Sequence, residues 1–246
     1  MTSISVTEVS PGAPPKVRFT AGLLQPRLVS RKPGFAHVAL VAGAATLLGG
    51  DAVAIRVDVG AGCTLRIEDI GGTVAYPSTG RHSEWNVDMH VGDGGALVWE
   101  SFPFVVTDRA EVDRRTTVRR APDAVVCLRE TLVLGRSGEA GGRIVSRTDI
   151  RDLDGTAFFV EELALDGSDP QPGVLGPSRV LDTAMLIGLD PEEDGRDNSR
   201  DDGEGHVLVL ARPGAVVRAI GSATHAAHVD ARWHRWKTRA ERRRQR

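Results

Sequence analysis

A repeat of 32 residues constrains the fold of this chain more than any other feature. The segment Val53–Glu68 is followed, at a constant offset and without a gap, by the similar segment Trp85–Glu100. In each copy apolar residues alternate along a strand, a Gly-x-Gly turn follows, and a second strand ends on a glutamate. Self-similarity at a period of about 30 residues is typical of stacked β units. The sequence therefore predicts a mainly β protein, with many short strands in a layered, β-helix-like stack.

Two later glutamates extend the pattern at similar steps. Glu130 and Glu161 each follow a short apolar strand. Stacking in register would place Glu68, Glu100, Glu130 and Glu161 near one another, and like charges so placed repel unless each has a cationic neighbour, is solvated or is bridged by a metal ion. A ladder of carboxylates and waters could pass a divalent cation along without trapping it. The alternative is that the four glutamates lie on the rim and are individually hydrated.

Composition limits the class of partner and the compartment. The formal net charge of −2 argues against nucleic acid or an anionic membrane as the partner of the whole surface. Cys63 and Cys127 lie far apart in apolar strand patterns, which favours a reducing compartment over a disulfide framework. The first residues lack the apolar region of a signal peptide, and the apolar run 38–50 is too short and glycine-rich to span a bilayer. We therefore expect a soluble, cytoplasmic protein.

The chain divides into a lead, one large β domain and a tail. Residues 1–16 are polar and proline-rich and predict a disordered lead. Residues 17–240 predict a single β domain, in which 190–205 form an acidic, flexible loop. Residues 241–246 form a basic tail. Near the end of the domain Ser222 is a candidate N-cap for a short C-terminal helix.

That helix carries an apolar stripe and a pair of histidines. Val229, Trp233 and Trp236 are spaced i, i+4, i+7, which places them on one face. His225 and His228 are three residues apart and could present both imidazoles to a transition metal. The alternative is two half-exposed helix histidines without a ligand.

Catalytic motifs are not visible in this sequence. It contains no Gly-x-Ser-x-Gly, no P-loop and no His-Glu-x-x-His. The pairs Gly60-x-Gly62 and Gly92-x-Gly94 lack the third glycine and the following helix of a dinucleotide site, so they are interpreted as turns. The acids are spread one per repeat, which disfavours a hydrolase or lyase that uses paired carboxylates.

Seven short phrases carry a resemblance to a known family. They are Leu48–Asp51, Val59–Cys63, Gly71–Pro77, Ala96–Pro103, Glu130–Arg136, Val160–Leu163 and Pro172–Gly176. Each phrase is weak alone, but their order over about residues 17 to 190 is specific. In this order they resemble the urease accessory protein family UreD, also called UreH, and the wording around Thr73 is most similar to its actinobacterial branch.

The resemblance implies a β protein without catalysis of its own. Members of the family bind the urease apoprotein and a second accessory protein, UreF, which in turn recruits the GTPase UreG. The implied role is a maturation scaffold, or chaperone, that helps deliver Ni²⁺ to the urease active site, with the ion in transit and no tightly bound cofactor. A dimer within the accessory complex is a further expectation. The alternative is a β-solenoid protein-interaction module with no metal role.

The resemblance also points to residues for a weak transit path. Asp51, Glu130 and Glu161 match acidic positions of the family, and Thr73 stands where relatives commonly carry serine. Glu100 and Glu68 enter through the repeat alone. The candidate metal-contacting residues are thus Asp51, Glu130, Glu161, Thr73, Glu100 and Glu68, with His225 and His228 as a separate pair.

Overall fold

Short strands dominate the computed structural model, which describes residues 1–10, 12–43, 47–191 and 205–242. Within these ranges the chain forms 17 β-strands and one α-helix, α1 (Asp230–Arg242), which follows a short 3-10 turn (Thr224–Ala226). The strands are β1 (Thr2–Thr7), β2 (Lys16–Thr20), β3 (Leu24–Lys32), β4 (Phe35–Ala42), β5 (Ala52–Val59), β6 (Thr64–Asp69), β7 (Thr73–Ala75), β8 (Ser83–Val91), β9 (Ala96–Glu100), β10 (Phe104–Val106), β11 (Glu111–Arg120), β12 (Val125–Leu134), β13 (Arg143–Asp152), β14 (Ala157–Asp166), β15 (Val180–Ile187), β16 (His206–Val209) and β17 (Gly214–Gly221).

The strands form two sheets that face each other across the main core. Sheet A has the order β14-β13-β11-β8-β5-β1-β2, and sheet B has the order β16-β17-β15-β12-β9-β6-β4-β3, with β10 pairing β12 and β7. From β4 to β13 the chain alternates between the sheets, except that the short strands β7 and β10 follow β6 and β9 within sheet B, and equivalent strands of successive coils pair in parallel. This winding is a β-helix-like stack and confirms the predicted fold class.

The 32-residue repeat sets the register of two successive coils. Val53 pairs with Trp85 in sheet A, and Glu68 pairs with Glu100 in sheet B. Because side chains alternate between the two faces of a strand, a constant offset keeps each apolar residue above its counterpart in the core. Residues 32 apart in the sequence are therefore neighbours in successive coils of the stack.

The Gly-x-Gly pairs make the turns between the two sheets, as predicted. Gly62 and Gly94 have φ of 63° and 60°, the left-handed conformation that glycine adopts without strain. The amide of Gly60 donates to the carbonyl of Val6 at 2.8 Å in the neighbouring coil. A Cβ on Gly60 would meet that carbonyl oxygen at 3.0 Å, so the coils can approach closely only without a side chain there.

The prediction of a disordered lead over residues 1–16 is wrong. Residues Thr2–Thr7 form β1, which pairs in parallel with β5. Ile4 and Val6 are fully buried, because their alternation with serine gives this short strand one apolar face. Most of the acidic loop predicted at 190–205, and residues 243–246 of the basic tail, lie outside the described residues.

A second, smaller core lies on the outer face of sheet B, where α1 packs. Val229, Trp233 and Trp236 are all fully buried there, which confirms the predicted apolar stripe. The predicted helix start is wrong, since α1 begins at Asp230, well beyond Ser222. α1 is also too short and polar to span a membrane, and no other helix among the described residues can do so.

Candidate functional site

The four predicted glutamates do not form one ladder. Glu68 and Glu100 lie directly opposite each other on the outer face of sheet B. The next residue in that row is Arg129, because β12 pairs with β9 at an offset of 29 residues. Glu130 therefore lies on the inner face, between Leu128 and Leu132, which face the main core. The single stacked series of glutamates is wrong, because a shift of one residue moves a side chain to the other face.

The two outer glutamates have cationic neighbours. Glu68 lies 3.1 Å from both Arg66 Nη2 and His37 Nε2. Lys237 of α1 reaches Glu100 at 2.7 Å. Partial burial raises the pKa of the Glu100 carboxyl, but the hydrogen bond and charge of Lys237, together with Trp233 and Arg129, outweigh it and hold this pKa below its usual range. Both glutamates are therefore paired with cations on the outer face.

The inner face of sheet B carries a polar residue in, or directly after, five neighbouring strands. Asp69 is the last residue of β6, two positions after the buried Ile67, and Ser101 comes directly after β9. Glu130 lies in β12, Thr183 in β15 and Arg218 in β17. The pairs Glu130–Thr183 and Thr183–Arg218 are direct register partners. The amide of Ser101 bonds to the carbonyl of Arg129, which places Ser101 beside Glu130.

Sheet A also carries polar residues on three neighbouring strands, β11, β13 and β14. Thr116 pairs with Thr148, and Thr148 pairs with Glu161 of β14. Both threonines are buried within the main core. We call the combined set of Asp69, Ser101, Glu130, Thr183, Arg218, Thr116, Thr148 and Glu161 the inner polar row. Beside it, Arg114 and Ser146 form a second buried polar pair across β11 and β13.

Ion pairs connect the two sheets along the inner polar row. The guanidinium of Arg114 contacts the Glu130 carboxylate, and its side chain is only 8% exposed. Arg114 also lies over the Phe104 ring, 5.7 Å from its centroid. One step along, Arg218 of sheet B donates to Glu161 of sheet A at 2.5 Å. Glu130 and Glu161 are thus each paired with an arginine from the opposite sheet.

A cavity of about 40 Å³ lies at one end of the inner polar row. Its wall includes Asp69, Thr73, Arg114 and Glu130, together with apolar side chains such as Trp85. This volume is enough for a small number of water molecules. The structure therefore brings together two of the predicted residues, Thr73 and Glu130.

The cavity adjoins an open cleft of about 540 Å³ at the end of sheet B. Asp69 and Ser101 belong to the walls of both spaces, and Glu68 and Glu100 belong to the wall of the cleft. The exposed apolar residues Ile70 and Phe102 rim the cleft. The inner polar row thus begins close to solvent.

Asp69 lies between the cavity and the cleft, and the pKa of its carboxyl is raised. Burial raises the pKa of its carboxyl to about 6, even though Trp99 Nε1 donates to it at 3.2 Å and the Phe102 backbone and Arg114 also favour the charged form. A carboxyl with this pKa changes between its protonated and its charged form around pH 6. Asp69 was not predicted as a site residue, although its position in the repeat next to Glu68 identifies the opposite face.

Arg129 fastens α1 to the outer face of sheet B beside the cleft. It contacts Asp182 at 2.8 Å and Asp230, the first residue of α1, at 2.7 Å. Asp182 is buried and accepts further bonds from the Thr131 hydroxyl and the Val229 amide. These bonds satisfy a buried carboxylate and fix where α1 begins.

The remaining candidates lie elsewhere. The Asp51 carboxylate accepts the Leu48 amide at 2.9 Å and so closes the turn before β5. His225 is exposed and His228 is half-buried, and both precede α1, so the prediction that they share a helix face is wrong. Among residues 1–10, 12–43, 47–191 and 205–242, no three histidine, cysteine or acidic side chains are grouped as metal ligands.

Taken together, the fold and the site define a stacked β protein with a polar row enclosed between its two sheets. The family described as UreD urease accessory protein matches residues 19–245. The chain is 37% identical to urease accessory protein UreD 1 of Streptomyces griseus subsp. griseus over 235 residues, covering 94% of this chain and 85% of that protein. It is 35% identical to a UreD of Frankia alni over 74% of this chain and 67% of that protein, and 30% identical to UreD 2 of Saccharopolyspora erythraea over 79% and 72%. The chain belongs to the UreD family of urease accessory proteins.

Proposed function

We propose that this protein is a non-catalytic scaffold of urease maturation that passes Ni²⁺ along its inner polar row. In this role it binds the urease apoprotein and UreF, through which UreG joins, and it works in the cytoplasm as part of that complex, in which it can be present as a dimer. The observation that carries the proposal is a row of polar side chains, oxygen-bearing except for Arg218, that crosses the largely apolar main core. Buried polar groups cost free energy unless they are satisfied, so a row of them is retained where it serves a purpose.

The chemistry of the row suits an ion in transit. Carboxylate and hydroxyl oxygens with water can replace part of the hydration shell of six-coordinate Ni²⁺, whereas imidazole or thiolate would hold it more tightly. Asp69, Glu130 and Glu161 are the proposed carboxylate stations, with Thr73 beside the first two. Because the stations are single carboxylates, each would bind the ion weakly and release it.

The interior arginines set a condition on this passage. Arg114 and Arg218 occupy the carboxylates of Glu130 and Glu161, and like charges repel, so Ni²⁺ must displace a guanidinium or move past it with water. A carboxylate that is already paired offers the ion less attraction than a free one. The arginines therefore keep the affinity of the row low.

Because the pKa of Asp69 is raised, the proposed binding of Ni²⁺ at this residue is coupled to loss of a proton. With a pKa of about 6, the Asp69 carboxyl carries a proton in part of the molecules at slightly acidic pH. Binding of Ni²⁺ there would release that proton, so entry is expected to weaken as the pH falls below about 6.

Other predicted residues have lower rank in this proposal. Glu68 and Glu100 line the cleft outside the row and are proposed to gather the ion near its entrance. Asp51 already closes a turn, and His225 with His228 lies outside the row, so neither is assigned a station.

The test replaces the stations while the complex is kept intact. Glu130→Gln and Glu161→Gln remove one charge each and preserve size. Urease matured with either variant is expected to contain less nickel and to be less active, while co-purification with the apoprotein and UreF is unchanged. Glu111→Gln, an exposed substitution at the start of β11, is the matched control.

A protein-interaction module without a metal role is the second candidate, and one observation favours it. The Glu130–Arg114 and Glu161–Arg218 pairs can be explained as ties between the sheets. In that case the glutamine variants would weaken folding, and urease matured by the surviving complex would have full nickel content. That result would overturn the transit path.

A further inference from the structure

Apart from the basic tail, an excess of positive charge marks the first end of the stack. The first 50 residues contain five basic residues and a single acid, Glu8, whereas the whole chain has a formal net charge of −2. The five are Lys16, Arg18, Arg27, Arg31 and Lys32. The remaining residues carry a formal net charge of −6, which equals the charge of the acidic segment 190–204 alone, so the other residues after position 50 are neutral in sum and the first 50 are distinctly basic.

The fold gathers these five residues onto two strands. Lys16 and Arg18 lie on β2, the edge of sheet A, and the other three lie on β3, the edge of sheet B. All five are exposed. We call this end of the stack, formed by β2 and β3, the basic end. The guanidinium groups of Arg27 and Arg31 contact the neutral oxygens of Gln25 and Pro15, so these contacts leave their charge available.

Apolar side chains lie among the charges at the basic end. Phe19 pairs with the buried Ile4, and Leu28 pairs with the buried Val38, so both lie on the core-facing sides of their strands. They are nevertheless 38% and 44% exposed, since no further coil covers the last strand of either sheet. Val29, at a bulge in β3, is 53% exposed. Stacked repeats normally carry a polar cap at such an end.

The backbone of the basic end opposes the addition of another strand. Pro26 lies inside β3 and has no amide hydrogen, and the bulge beside Leu28 interrupts the ladder. Both features blunt an edge strand against pairing. A partner must therefore bind through side chains. A second copy of the same end would bring five more cations against these five, which opposes self-association.

We propose that the basic end is a docking surface for an acidic face of a protein partner. Phe19, Leu28 and Val29 would fill apolar depressions on that face, and the surrounding arginines and lysines would meet its carboxylates. An apolar centre with a charged rim is the usual anatomy of a protein interface. An apolar centre favours a protein partner over RNA or DNA, because contacts to phosphate and sugar dominate nucleic-acid interfaces.

The choice of probes rests on the proposed function, which names the urease apoprotein and UreF. Binding of the full-length chain to each purified probe is measured over a range of salt concentrations, with Arg18→Glu/Arg27→Glu as the test variant. Arg115→Glu/Arg143→Glu is the matched control, because it reverses two exposed arginines on the outer face of sheet A. Far-UV circular dichroism and thermal midpoints establish that both variants are folded.

The expected result is binding to one of the two probes that weakens with salt. Arg18→Glu/Arg27→Glu should lower that affinity by about tenfold or more and reduce its salt dependence, whereas the control should stay within about twofold. Leu28→Ser/Val29→Ser should lower the affinity and leave the salt dependence unchanged.

Three results would overturn the docking surface. In the first, the test variant binds both probes as the unmodified chain does; the proposed function then survives and only the basic end loses its role. In the second, the control loses as much affinity as the test variant. In the third, the basic end binds double-stranded RNA or DNA more tightly than either protein. If the unmodified chain binds neither probe, both the docking surface and the proposed partners are wrong.

Discussion

The two faces of sheet B treat the same residue type in different ways. On the outer face, Glu68 and Glu100 lie side by side next to a cleft, and each has its own cation. On the inner face, Glu130 lies in the main core and meets an arginine from the opposite sheet. The outer ion pairs are partly exposed to solvent, whereas the inner pair of Arg114 and Glu130 connects the two sheets. A carboxylate therefore has a surface role on one face and a structural and proposed transit role on the other.

The outer face of sheet B has a polar part at the cleft and an apolar part that contacts α1. Loss of the apolar contact should lower the free energy of unfolding more than any other change considered. Trp233→Ala removes a fully buried indole from the second core and is expected to lower the free energy of unfolding by about 3 to 5 kcal/mol. Chemical denaturation measures it. Arg235→Ala, on the exposed side of α1, should cost less than about 1 kcal/mol. A small loss for Trp233→Ala would show that α1 is not integral to the fold.

Loss of the inner cation should have the next largest effect. Arg114→Gln leaves Glu130 partly buried without a charged partner, which is expected to lower the free energy of unfolding by about 2 to 3 kcal/mol. Adding Glu130→Gln to the same chain should restore part of this loss, because the uncompensated charge is then gone. If the double variant is as unstable as the sum of the single variants, the two side chains are not energetically coupled.

The acidity of Asp69 gives the comparison a pH dependence. Its pKa of about 6 in the folded chain exceeds the value of about 4 for an unfolded chain. The folded state therefore binds the proton more tightly, and the free energy of unfolding falls as the pH rises from about 4 to about 6. Asp69→Asn should be more stable than the unmodified chain at pH 7 by roughly 1 to 3 kcal/mol. The difference should shrink towards pH 4, which denaturation at the two pH values can measure; an equal difference at both would contradict a raised pKa.

The smallest effect is expected on the polar part of the outer face. Glu68 and Arg66 are more exposed than Glu130 and Arg114, so Glu68→Gln should change the free energy of unfolding by less than about 1 kcal/mol. Added salt should reduce the change further. A loss as large as that of Arg114→Gln would remove the distinction between the two faces.

The sequence was informative where the chain repeats without a gap. The offset of 32 residues predicts the pairing of β5 with β8 and of β6 with β9, and with it the stacked fold. The same offset relates Thr116 to Thr148, a pair that contributes to the inner polar row. Alternation along each strand could have identified Asp69, since Glu68 on the outer face implies that its neighbour faces inward.

The position of Glu130 could not be predicted in the same way. The connection between β9 and β12 shortens the offset to 29 residues, so Arg129, and not Glu130, continues the outer row. Spacing by similar steps misses such a change, and an error of one residue reverses the face. The partners Arg114 and Arg218 were also missed, because contacts across the core depend on how the two sheets are superposed, which no local pattern records.

The most direct test of the inner polar row compares one glutamate from each face. Glu130→Gln and Glu100→Gln are introduced separately, and the nickel content of urease is measured after maturation with equal amounts of intact accessory complex. We predict that Glu130→Gln lowers the nickel content several-fold and that Glu100→Gln leaves most of it. Equal nickel content with both variants would contradict the claim that Ni²⁺ moves between the sheets.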